Sequence, residues 1–127
     1  VRVEALVRFL KTYQSPLLPY AEFLVETSDK YGLDYRLLPA MAMQESNLCK
    51  KAPPNSYNCW GYGIYGGKIM AFSGFEEAIE KVAAGLSRDY KEYGLTTPKQ
   101  IMAKYTPSNT GAWALAVEYF MQKLTLL

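Results

Sequence analysis

The chain contains no histidine. Catalysis through a Ser-His-Asp or Cys-His arrangement is therefore excluded, because each needs an imidazole to move the proton. Only two cysteines are present, too few to build a Cys/His zinc site without that imidazole. No metal and no cofactor is expected. Charge of one sign is also lacking: the net charge is +2, too small to call for nucleic acid. It suits an anionic polymer such as a bacterial cell wall without demanding one. No apolar run is long enough to cross a membrane as a helix. Carboxylates, tyrosines and lysines remain as candidates for proton transfer.

What is present is enough apolar residue, half of the 127 positions, to build the core of one domain spanning 1–127. The fold is expected to be mainly α. Val3, Leu6, Val7 and Leu10 recur at helical spacing over residues 2–13, and Ser15-Pro16 and Pro19 break that helix. This amphipathic start, charged throughout, does not read as a signal peptide, so the chain reads as a domain of a longer exported protein. A second helix is expected from Pro19 to Tyr31, with Gly32 just past its end. Asp34 is placed to cap a third, from Tyr35 to Ser46. That segment is apolar nearly all round, the mark of a buried central helix, and Pro39 near its first turns is a possible bend. Residues 48–74 are irregular, rich in glycine, asparagine and aromatics, with a turn or short β-hairpin expected at Gly66-Gly67. Ser73 and Glu76 form a capping-box pattern opening a helix to Tyr93. Thr97 and Gln100 form another, with Pro98 at the first helical position. A last helix is expected over Ala112 to Leu124, burying Trp113, Val117, Phe120, Met121 and Leu124.

Glu45 is the only carboxylate on the apolar third helix and stands at its far end. Burial there disfavours the charged form and raises the pKa, as a general acid working near neutrality requires. The alternative is a surface glutamate repelled by the helix C-terminus. In the loop that follows, Asn58, Trp60, Tyr62, Gly63, Ile64 and Tyr65, with Asn55 and Tyr57, supply flat rings, amides and close backbone approach suited to sugars. Trp60 fits either a sugar platform or a core residue; Tyr62 and Tyr65 fit a groove. Tyr105, before the polar run 106–109, could orient a sugar, stabilise developing positive charge, or be a core tyrosine. Glu77, Glu80, Asp89, Glu92, Glu22, Glu26 and Asp29 read as solvated surface. Cys49 and Cys59 are expected to pair, closing a loop worth ~3 kcal/mol on the chain-entropy model; two free buried thiols are the alternative. One matched pair in a small domain suits an extracellular or cell-envelope location.

Four ordered segments carry a resemblance. YGLDYRLLPAMAMQES (31–46), NCWGYGIYGG (58–67), AFSGFEEAIEKVAAGL (71–86) and KYTPSNTGAWALAV (104–117) resemble the bacterial N-acetylglucosaminidase and lytic transglycosylase families of the lysozyme superfamily. The resemblance implies a lysozyme-like helical domain in which the irregular loop or a short hairpin forms one wall of a glycan groove. It implies peptidoglycan glycan strands as substrate, Glu45 as general acid, Ser46 beside it, and Tyr105 as an assisting groove residue. Gly-Ile-Tyr at 63–65 leans toward the glucosaminidases. Their further acid in a small β-lobe has no counterpart at Lys68-Ile69-Met70.

The expected reaction is cleavage of a β-1,4 bond between amino sugars, with Glu45 protonating the leaving oxygen. With no second acid evident, assistance by the substrate's own N-acetyl group, or ring closure by a muramic hydroxyl to an anhydro product, fits better than a two-carboxylate mechanism. A non-catalytic glycan-binding module and a structural domain of a larger cell-surface or phage-tail assembly are the rivals. A monomer is expected.

Overall fold

The computed structural model describes residues 1–63, 70–105 and 111–127, with the side chain of Tyr105 excepted. Among them the regular structure is helical: α1 (Arg2–Thr12), α2 (Ala21–Lys30), α3 (Leu37–Ser46), α4 (Phe75–Asp89), α5 (Pro98–Tyr105) and α6 (Ala112–Thr125). Short 3₁₀ turns at Leu18–Tyr20 and Lys91–Tyr93 precede α2 and follow α4. The mainly α expectation holds. The hairpin expected at Gly66-Gly67 lies outside the described residues.

Helix α3 is the axis of the fold. Leu37, Leu38, Pro39, Ala40, Met41, Ala42 and Met43 are all buried, so no face of these turns is left for solvent. It packs chiefly against α6, which α5 and α1 also contact, while α1, α2 and α4 pack in series. One cluster of buried side chains links Leu6, Phe9 and Leu10 of α1, Leu24 and Val25 of α2, Ile79, Val82 and Leu86 of α4, Ile101 of α5 and Trp113 and Val117 of α6. Exposed ion pairs, Arg2 with Asp29 and Lys30 with Glu80, tie α2 to α1 and α4.

Several helix ends follow the local chemistry and others shift. Gly32 takes φ +68°, with its amide bonded to the Asp29 carbonyl and that of Leu33 to Ser28, closing α2 as a left-handed cap. Thr97 and Gln100 exchange both capping-box hydrogen bonds, Gln100 Oε1 from the Thr97 amide at 3.1 Å and Thr97 Oγ1 from the Gln100 amide at 3.2 Å. By contrast, Glu76 does not cap α4. Gly74 takes the N-cap position, and it is Glu77, in the third helical position, that reaches back to the Ser73 amide at 2.9 Å. Asp34 does not cap α3: its carboxylate accepts from the Arg36 amide at 2.9 Å, a turn at Tyr35-Arg36 intervenes, and α3 starts at Leu37 with Arg36 in the N-cap position. Pro39 then falls in the first helical turn, where its missing N–H has no intrahelical partner to lose. α4 stops at Asp89, and a tighter 3₁₀ turn leads to Gly94 at φ +76°.

Candidate active site

At its C-terminus α3 stops abruptly. Asn47, Leu48 and Cys49 all have positive φ (53°, 54° and 72°), a conformation costing about 1–3 kcal/mol per non-glycine residue. The surroundings offset that cost. Leu48 is fully buried, and its amide bonds the Ala42 carbonyl while Asn47's bonds Met43. Ser15, beyond the end of α1, donates its hydroxyl to the Leu48 carbonyl at 2.8 Å. Cys49 is joined to Cys59, so the expected pairing is present. Ser46 lies inside that bracket. Its hydroxyl donates to the Cys59 carbonyl at 2.6 Å and accepts from the Cys49 amide at 2.9 Å. Three independent ties thus hold the turn of helix that carries Glu45.

Glu45 is half-buried at this end. The Trp113 indole N–H, from the first turn of α6, donates to Glu45 Oε1 at 2.6 Å. Burial pushes the carboxyl above the usual carboxylate range, and the indole hydrogen bond, which favours the charged form, offsets part of that rise. An acid in this setting can hold a proton at higher pH than a surface glutamate and release it to a group arriving at its free oxygen.

Other residues expected to touch substrate have structural duties instead. Trp60 is not a sugar platform: it is fully buried and donates its indole N–H to the Leu38 carbonyl at 2.9 Å. Asn58 is also fully buried. Its amide nitrogen donates to the carbonyls of Tyr62 (2.8 Å) and Met70 (3.0 Å), and its oxygen accepts from the amides of Tyr62 (3.0 Å) and Trp60 (3.3 Å). Those four bonds use the whole capacity of a side-chain amide, leaving none for a sugar hydroxyl. Ser46, buried and bonded to both half-cystines, pins the loop and does not face a ligand. Tyr62 turns toward α4. A Cβ at Gly85 would collide with its hydroxyl, so the ring reaches that helix only because position 85 is glycine. Gly63, at φ +67°, lies against Met70. Ile64 and Tyr65 and the side chain of Tyr105 lie outside the described residues.

Sequence reasoning missed Trp113, which was expected as core. It is core, at 2% exposed, but its polar edge is spent on Glu45. The available signal was chemical: a buried indole needs an acceptor, and a desolvated carboxylate needs a donor. Of the other acids, Glu80 pairs with Lys30 and Tyr31, and Asp89 with Arg88. Glu22, Glu26, Glu76, Glu92 and Glu118 are exposed. No group of three or more acids or cysteines that could hold a metal occurs among the described residues, and none of the described helices is long and apolar enough to cross a membrane. No protein-family model matches the chain, and no curated protein matches it.

Proposed function

We propose that this protein is a lysozyme-like, peptidoglycan-cleaving glycosidase of the N-acetylglucosaminidase kind, with Glu45 as its general acid. One observation carries the reading: a half-buried carboxylate without an ion-pair partner among the described residues, raised in pKa by burial, gripped on one oxygen by a buried indole and mounted on a helix end fixed by a disulfide and two buried hydroxyls. The indole is a donor only, so Oε1 must accept. The acid proton is then carried by Oε2, the oxygen free to meet the glycosidic oxygen of a β-1,4 bond. Proton donation of this type contributes ~10²–10⁴-fold; positioning and electrostatics supply the remainder.

Burial and the Trp113 indole, not a neighbouring carboxylate, set the state of Glu45 among the described residues. That supports a one-carboxylate route. Either the substrate's N-acetyl group attacks the anomeric carbon and water then opens the resulting ring, or a muramic hydroxyl closes on it to give an anhydro end. The disulfide supports export to an oxidising compartment, where peptidoglycan is found.

The test is digestion of purified peptidoglycan by the wild type and by Glu45→Gln, with the released fragments read by mass spectrometry. Gln keeps the acceptor for Trp113 and removes only the proton. The expected result is fragments from the wild type and at least ~100-fold fewer from the folded variant. Reducing N-acetylglucosamine ends mark the glucosaminidase; anhydro-muramic ends mark a lytic transglycosylase. Binding of the polymer without release of fragments by either protein rejects the enzyme and favours a glycan-binding module.

A further inference from the structure

Tyr57 of the loop that the disulfide closes, Phe75 at the start of α4 and Tyr20 just before α2 form a row of rings. Tyr57 meets Phe75 edge-on, with centroids 4.9 Å apart at 89°, and Phe75 meets Tyr20 at 5.3 Å and 55°. Tyr57 remains 39% exposed, and Phe75 and Tyr20 are half-buried. Beside the first two rings lies an open hollow of about 230 Å³, walled also by Cys49, Pro53, Pro54 and Asn55.

The backbone here is set against its own preference. Tyr57 has φ +54° and Asn55 φ +59°. Asparagine tolerates that region, whereas a bulky residue there is an outlier. At Leu48 the same strain is offset by complete burial, but at Tyr57 it holds a ring outward. The display is firm: the Ser56 hydroxyl donates to the Pro53 carbonyl at 2.7 Å and accepts from the Asn58 amide at 3.1 Å, and the Phe72 amide donates to the Ser56 carbonyl at 2.8 Å. Flat rings beside the exposed Asn55 side-chain amide match the alternating apolar faces and hydroxyl edges of pyranose rings. Cys49, one wall of the hollow, bonds through its amide to Ser46, the neighbour of Glu45.

We propose that Tyr57, Phe75, Tyr20 and Asn55 form a second glycan-contact site, which takes pyranose rings of an amino-sugar strand away from the bond that is cut. The proposal rests on the reading of Glu45 as a glycan-cleaving acid, and it adds a place where the long polymer is held. Short fragments reach Glu45 without it; longer strands gain affinity from it.

The experiment measures, in the Glu45→Gln background so that nothing is turned over, binding of a soluble β-1,4-linked N-acetylglucosamine hexamer and of the corresponding dimer by titration calorimetry. Tyr57→Gly removes the ring and relieves the positive φ. The expected result is about tenfold weaker hexamer binding, unchanged dimer binding and a Tm held or raised. Tyr57→Phe, which keeps the ring, retains the affinity, and Tyr57→Leu, which keeps a side chain but no flat face, loses it. Unchanged hexamer affinity in Tyr57→Gly and Tyr57→Leu overturns the site, as does failure of the hexamer to bind the parent. A marked fall in Tm for Tyr57→Gly, with affinity retained, makes Tyr57 a structural residue. Loss of binding in Tyr57→Gly alongside a wild type that cuts no peptidoglycan leaves this site standing and removes only the catalytic reading.

Discussion

The two ends of α3 are each closed by a tryptophan, and the two tryptophans do different things. Near the start, Trp60 is fully buried and gives its indole N–H to the Leu38 carbonyl. At the finish, Trp113 is almost as buried and gives its N–H to the Glu45 carboxylate. The first bond joins two neutral groups and serves packing. The second ends on a group that titrates, so the same residue type in the same kind of burial becomes part of an acid's environment. Burial alone does not separate the two tryptophans; the acceptor does.

The comparison breaks most visibly at Trp60. Replacing it with alanine empties a site in the middle of the core and removes the indole hydrogen bond to the Leu38 carbonyl. The expected cost is ~3–5 kcal/mol, read as a fall in the denaturant midpoint. A smaller loss would mean that the loop, and not the indole, closes that end of α3.

An intermediate effect is expected at Ser46, which belongs to the Glu45 end but does not titrate. Ser46→Ala strands the Cys59 carbonyl and the Cys49 amide, at about 1–3 kcal/mol. Because the disulfide still brackets the loop, activity should fall less than in Glu45→Gln. Equal falls would mean that the acid's position depends on this hydroxyl.

The finest contrast comes from Trp113→Phe, which keeps an aromatic ring and removes the donor. The indole hydrogen bond lowers the Glu45 pKa against the rise from burial, so its removal lets the pKa climb further. A general acid must be protonated, and its activity is lost as pH rises through its pKa. The alkaline limb of the pH–kcat/KM profile should therefore move to higher pH in this variant. The same substitution at Trp60, whose partner is a backbone carbonyl, should lower stability and leave the limb in place. A limb that stays put in Trp113→Phe would show that the hydrogen bond orients Glu45 without tuning it.

Much of this architecture was legible because its causes are local. The apolar periodicity of α1, the all-round apolar α3, Gly32 at the end of α2 and the Thr97-Gln100 box act within a few residues, and the helices stand where those signals put them. The partial burial of Glu45 was legible for the same reason, since it is the only acid on an apolar helix. The misplacements arose where two local solutions competed. Ser73 precedes adjacent glutamates, and the backbone at Gly74 selected Glu77 over Glu76. The loop misled further. Its asparagine and tryptophan look like sugar ligands by type, yet Asn58 is consumed by four bonds to its own loop and Trp60 by the core.

By itself, the sequence determined the helical class, the positions of most helix ends, the absence of imidazole chemistry and an acid at the end of the apolar helix α3. These follow from side-chain type and spacing over a turn or two of chain. Only the tertiary structure decided which tryptophan meets Glu45. Trp113 lies 68 residues away, and nothing local distinguishes its indole from that of Trp60. The packing of α6 on α3 chose between them, since a hydrogen bond across that interface depends on where two helices come to rest and not on the residues along either one.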